Sequence, residues 1–179
     1  SAVGTVLMRL DIALPIFPSF LKLDLSDIPG LIGGFAFGPV TGVLICLFKN
    51  ILHIPFSSSG GIGELANFIV SGTFVFTASI IYKRKKTKTV ALIGMLVATI
   101  AMGIMGGLSN YFILIPLYTK FTPVEEIISI VAKIIPSVDS LAKVILYSIV
   151  PFNLLKGLIT SLITFIVYKY ISPVLHKIK

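Results

Sequence analysis

The stretch IPGLIGGFAFGPVTGVLICLFKNILH, residues 28–53, decides the fold. Residues 28–48 carry no charge, so a plain hydropathy count takes roughly 30–52 as one membrane crossing. The centre of the run, Phe37-Gly38-Pro39, argues against a single helix. Proline lacks the amide donor that a helix interior needs, and it disfavours helical geometry at the residue before it. Gly33, Gly34 and Gly42 flank the same point. The run therefore divides into a short second helix over about 28–37 and a third over about 40–53. A backbone break at membrane depth is tolerated where protein covers it.

Working outward, composition supplies the membrane frame. Of 179 residues, 56% are hydrophobic and 12% charged, against roughly 45–50% and 25% in an average soluble domain. So few charges cannot cover that much apolar surface in water, whereas lipid can solvate it. At about 20 apolar residues per crossing there is room for about five to seven spans and no separate soluble domain. Residues 65–82 and 89–119 are uncharged, and Lys156 is the one charge between Lys143 and Lys169. Hydropathy thus adds crossings at 64–82, 89–112 and 152–171, with a short first span ending near Phe17. Residues 120–142, punctuated by Pro123 and Pro136, read as an outer, partly helical connection leading into the last span.

Charge then tests the division at Gly38. Counted as one helix, 28–53 would put Lys83, Arg84, Lys85, Lys86 and Lys88 on the opposite side from Lys177 and Lys179. Cytoplasmic loops should share the excess of Lys and Arg. Divided, the chain is an all-α integral membrane protein of six transmembrane helices with a short second helix. Both termini are then cytoplasmic, and all seven carboxylates lie at or beyond the outer ends of spans. The whole of 1–179 reads as one transmembrane domain. Because it opens with Ser1 in apolar sequence, the native start is expected to be missing.

Several function classes fall away. The net charge of +8 sits at span ends rather than on a basic, aromatic face, so nucleic acid is not an expected partner. Cys46 is the single cysteine, and no spacing of His or Cys suggests a metal site or resident cofactor. No Ser-His-Asp arrangement and no GxxxxGK[ST] run is present, so neither an enzyme nor an ATPase is expected.

The informative residues are polar ones in apolar surroundings. Lys156 lies in Pro151-Phe152-Asn153-Leu154-Leu155-Lys156, three residues after Asn153 and on the same helical face. The pair suits the polar edge of a ligand, while a lysine snorkelling to the interface is the plain alternative. Asn110 follows Gly103, Gly106 and Gly107, which either leave space for a flat ring or let helices approach closely. Glu64 and Asn67 open the fourth helix, where Glu64 also complements the helix dipole. From Leu21 to Ser26 apolar and polar residues alternate as in a strand. An extended segment there without a sheet partner would offer its backbone to a ligand.

Five stretches occur in a telling order: residues 17–29 (FPSFLKLDLSDIP), 49–53 (KNILH), 63–68 (GELANF), Asn110-Tyr111 with Pro116, and 151–157 (PFNLLKG). Together they resemble the riboflavin-specific substrate-binding (S) component of energy-coupling-factor (ECF) vitamin importers, over nearly the whole chain. The resemblance implies six helices in the bacterial cell membrane and a pocket open to the outside beneath the first loop. It implies riboflavin contacts at Asn110, Asn153 and Lys156, with Leu23, Asp24 and Leu25 around them and Glu64 and Asn67 nearby. It also implies a transmembrane coupling subunit and two ATPases as partners, with capture outside followed by toppling of the subunit in the membrane. The Ala-xxx-Ala docking face usual on the first helix is not present among Ser1, Ala2, Gly4 and Thr5. An S component for another flat vitamin, or a stand-alone secondary transporter, is the alternative.

Overall fold

The computed structural model describes residues 1–120 and 122–175, with the side chains of 169–175 set aside. Lys177 and Lys179, used above to orient the chain, lie outside the described residues.

Helix α1 (Ala2–Arg9) stops well before Phe17, where the hydropathy count ended the first span. Arg9 and Asp11 interrupt the apolar run, and Pro15 and Pro18 prevent its resumption. The chain instead forms a loop over 10–27, pinned by two short strands, β1 (Ile12–Ala13) and β2 (Lys22–Leu23). They pair antiparallel with Ile12 opposite Leu23 and Ala13 opposite Lys22. The extended segment at Lys22 therefore does have a sheet partner, contrary to the sequence expectation.

Helix α2 (Ile28–Phe37) and helix α3 (Pro39–His53) are separate, joined by Gly38 alone. Gly38 has φ 101° and ψ 166°, a region essentially reserved for glycine, and Pro39 opens α3 where its missing amide costs nothing. α2 returns against α3 and α4 (Ile62–Arg84) at close range. A Cβ on Gly34 would sit 2.0 Å from Ser79 Oγ, and one on Gly42 would sit 2.6 Å from Val75. Glycine spacing here brings backbones together, as in small-residue packing between membrane helices.

Helix α5 (Lys88–Tyr118) and helix α7 (residues 141–175) each contain one wide π-turn, Asn110–Leu114 and Ile145–Ile149. Between them the amphipathic helix α6 (Val124–Ala132) lies across the loop-bearing end of the bundle. Val131 and Val138 pack with Ile115, Val144, Ile145 and Ile149, so this connection is anchored by its own small core. The main core runs lower down through Leu31, Phe35, Phe74, Val75, Met95 and Met102.

Among the described residues, four stretches are long and apolar enough to cross a membrane: Pro39–Phe56, Ile62–Arg84, Lys88–Tyr118 and Leu141–Tyr168. The last begins well before residue 152, where hydropathy placed it. At 1.5 Å per residue, α2 is about 15 Å long and covers about half of a hydrocarbon core.

Because Gly38 occupies a region closed to other residues, Gly38→Ala should cost about 1–3 kcal/mol. Thermal unfolding in detergent measures this. An unchanged midpoint would show that the break between α2 and α3 does not depend on glycine.

Candidate ligand-binding site

Three adjoining cavities open beneath the 10–27 loop, at the end of the bundle opposite the turn between α4 and α5. One of about 130 Å³ lies deep between helices, lined by Asn67, Asn110, Phe152, Asn153 and Lys156. A second, of about 580 Å³, is polar and is bordered by Asp24, His53, Glu64 and Asn67. A third, of about 200 Å³, is apolar, walled by Ile115, Ile127, Ile130 and Ile149. Phe20 and Tyr118 border all three and divide one cleft into compartments.

The deep compartment is made by α4, α5 and α7. Asn110 opens the π-turn of α5, and its Nδ2 donates to the Gly106 carbonyl at 2.7 Å. Asn153 Nδ2 donates to the carbonyl of Ile149, the last residue of the other π-turn, at 2.8 Å. Flipping either amide would set oxygen against oxygen, so both orientations are fixed by the backbone. Each asparagine therefore keeps its Oδ1 as an acceptor. Lys156 Nζ donates to Asp24 Oδ2 at 2.8 Å and has further donor capacity at the cavity. The wall thus combines two fixed acceptors with one ammonium.

Lys156 is 4% exposed, so it does not snorkel to an interface. It belongs to a buried cluster of two cations and two anions. Asp24 pairs with Lys156, whose Nζ also lies 3.8 Å from Asp27 Oδ2. Asp27 pairs in turn with Lys49 of α3, which also donates to Ser26 Oγ. Asp24 Oδ1 accepts from the Ser26 amide at 2.8 Å, closing the turn. Burial opposes ionisation of Asp24, but the Lys156 and Lys49 ammoniums outweigh it and hold the carboxyl at about 2. A carboxylate lowered in this way contributes stability that is complete above its ordinary value of 3.8 and is lost as pH falls towards 2. The cluster fastens the 10–27 loop to α3 and α7, and Phe17 packs edge-on against Phe152 at 5.3 Å beside it.

At the rim, Glu64 accepts from Ser57 Oγ at 2.6 Å and meets His53 Nδ1 at 2.8 Å. Ser57 Oγ accepts from the Gly61 amide at 3.0 Å, so Glu64 also orders the loop that precedes α4.

The structure brings together Asn110, Asn153, Lys156 and Asn67, and places Asp24 and Glu64 at the adjoining polar compartment. Leu23 and Leu25 are half-buried and line none of the three cavities. Of the two readings of the α5 glycines, helix packing is the one observed. A Cβ on Gly103 would meet Leu154, and one on Gly107 would meet Val150. Sequence reasoning passed over Lys49 and Asp27. The rule that singles out Lys156, a lysine inside an apolar helix, applies equally to Lys49 and could have found it.

The family model for the substrate-specific component of ECF transporters matches residues 1–168. The riboflavin transporter RibU of Staphylococcus aureus (strain TCH60) is 34% identical over 99% of this chain and 89% of its own length. The riboflavin transporter FmnP of Bacillus subtilis (strain 168) is 28% identical over 97% and 88%. The solved S component of a bacterial ECF transporter superposes with a TM-score of 0.76 at 33% identity, covering 97% of this chain and 91% of that one.

A buried charge stripped of its partner is expensive, whereas a pair removed together is not. Lys49→Met should therefore destabilise the protein by about 3–5 kcal/mol, and the double variant Lys49→Met/Asp27→Leu should recover most of that loss. If thermal unfolding finds the double variant no better than the single one, the two charges are not coupled.

Proposed function

This chain belongs to the substrate-specific components of ECF transporters, and on that premise we propose that it captures riboflavin in the cleft beneath the 10–27 loop. The observation that carries the proposal is the deep compartment with its two fixed acceptors and one ammonium. The flavin imide edge presents an N–H flanked by two carbonyls, the complement of an acceptor flanked by donors. Asn110 and Asn153 would take the imide hydrogen and a neighbouring hydroxyl, and Lys156 would donate to a ring carbonyl. Asn67 stands beside them, and Asp24 and Glu64 border the polar compartment that would hold the ribityl hydroxyls. Leu23 and Leu25 would act only through the loop they stiffen. A mostly apolar cleft with a few placed polar groups is the usual form of a small-molecule site.

The names of the S. aureus and B. subtilis relatives support the ligand. In the same reading the chain makes six crossings of the bacterial cell membrane, α2 being a half-length one, with both termini cytoplasmic. The basic turn after α4 is then cytoplasmic, as the excess of Lys and Arg on that side requires. Delivery would depend on a transmembrane coupling subunit and two ATPases, with the subunit toppling in the membrane to release its cargo. The chain itself binds and carries, and catalyses nothing.

Titration of riboflavin into the stripped, detergent-purified protein should quench flavin fluorescence saturably at about one flavin per chain. Asn153→Ala and Lys156→Ala should each weaken binding by at least about tenfold, since each leaves a ligand polar group unpaired. Absence of quenching by folded protein would remove riboflavin as the ligand. Unchanged affinity in both variants would return these residues to a packing role.

A further inference from the structure

Gly106 touches both asparagines of the deep compartment through different atoms. Its carbonyl accepts from Asn110 Nδ2 at 2.7 Å and also from the Asn110 backbone amide. Its missing side chain is where Asn153 sits: a Cβ on Gly106 would lie 2.6 Å from Asn153 Nδ2 and 2.9 Å from its Cγ. The neighbouring glycines meet only aliphatic side chains, Leu154 for Gly103 and Val150 with Ile145 for Gly107. Gly106 is therefore the one residue of this stripe that bears on the hydrogen-bonding wall.

We propose that Gly106 is a positioning and specificity-determining residue, setting both amides with Nδ2 towards the helix backbone and Oδ1 towards the ligand. The inference rests on the riboflavin reading for its ligand, but the amide geometry is independent of it. A methyl group at 106 would push the Asn153 amide off the Ile149 carbonyl. The amide could then turn, and a wall selective for an N–H donor would accept other edges.

The test compares riboflavin with N3-methylriboflavin, which lacks the imide donor. Wild-type protein should prefer riboflavin by at least about tenfold, the scale of one buried polar group left unpaired. Gly106→Ala should lose that preference, whereas Gly103→Ala should lower thermal stability and keep it. Asparagine-selective ¹⁵N labelling gives a ligand-free readout, because the chain has four asparagines. The Asn153 side-chain amide should exchange with solvent several-fold faster in Gly106→Ala. If Gly106→Ala does not fold, Gly106→Ala/Asn153→Ala should fold as well as Asn153→Ala alone, because the clash partner is gone. Retained preference and an unchanged Asn153 amide in Gly106→Ala would overturn the proposal, as would a double variant no better than a non-folding single one. Failure of wild type to bind any flavin, with the amide effect intact, would instead remove the riboflavin reading.

A second inference comes from the opposite end of the bundle. Lys83, Arg84, Lys85 and Lys88 are all exposed where α4 turns into α5. The turn spans only residues 85–87, and Thr87 Oγ1 fixes it by accepting from the Val90 amide at 3.3 Å. No Asp or Glu occurs between Glu64 and Glu125, and Glu64 lies at the far end of α4, about 30 Å away. Just within the turn, Ile80, Leu92 and Ile93 are 41%, 38% and 49% exposed, an apolar face directly below the charges. Cations held at helix ends above an apolar face match a phosphate headgroup above its acyl chains.

We infer that this turn is a binding site for anionic phospholipid. Native mass spectrometry with equal phosphatidylglycerol and phosphatidylcholine should show wild type retaining the anionic lipid at least about tenfold in preference. Lys83→Gln/Arg84→Gln/Lys85→Gln/Lys88→Gln should bind both alike, with an unchanged unfolding midpoint in lipid-free detergent. A preference that survives in the variant would overturn the inference. So would its absence in wild type, which would point to an acidic protein surface instead.

Discussion

Two lysines and two aspartates buried side by side are the constraint on which this structure turns. Asp24 and Asp27 come from the loop and the entry to α2, Lys49 from α3 and Lys156 from α7. None could be placed alone in an apolar bundle, because the cost of desolvating an isolated charge is several kcal/mol. Together they balance, and Ser26 takes up part of the remaining hydrogen bonding. A loop with only a two-residue ladder of its own thereby acquires a fixed seat over the cleft. The same arrangement leaves Lys156 with one hand on the loop and one at the deep compartment, so closure of the loop and readiness of the site depend on the same ammonium.

The remainder of the site follows from how α5 and α7 are allowed to meet. Glycines bring the two helices close, and each widens into a π-turn at the level of the cleft, a feature that recurs at functional positions in helices. Each of the two asparagines at these irregular stretches spends one amide N–H on the backbone and keeps its Oδ1 for the cavity. Apolar and polar compartments then fall on either side of Phe20 and Tyr118. α6, with its own small core, closes the apolar side.

Much of this was legible in the sequence, and what was not has physical reasons. The helix break was legible because Gly38 and Pro39 are tied to backbone geometry that no other residue pair satisfies as well. Asn110, Asn153 and Lys156 stood out because hydrocarbon does not tolerate them without a reason. The partners of those residues were not legible: Lys156 meets Asp24 across 132 positions, and Lys49 meets Asp27 across 22. The π-turns leave no trace in the sequence: 111–115 is uniformly apolar, and 144–150 is apolar but for Ser148, with no Pro or Gly to mark a change of pitch. The strand partner of Lys22 was hidden because two residues are too few to show a period. The α5 glycines were compatible with ring space or with packing, and only the positions of Leu154, Asn153 and Val150 decide between them.

The central claim is that the deep compartment reads the flavin imide edge. A structure determined with riboflavin bound tests it most directly. Ring density is expected between Asn110, Asn153 and Lys156, with the imide N–H on one asparagine Oδ1, a flanking carbonyl towards Lys156, and the ribityl chain towards Asp24 and Glu64. Ring density outside this cleft, or an imide edge turned towards Ile127 and Ile130, would contradict it.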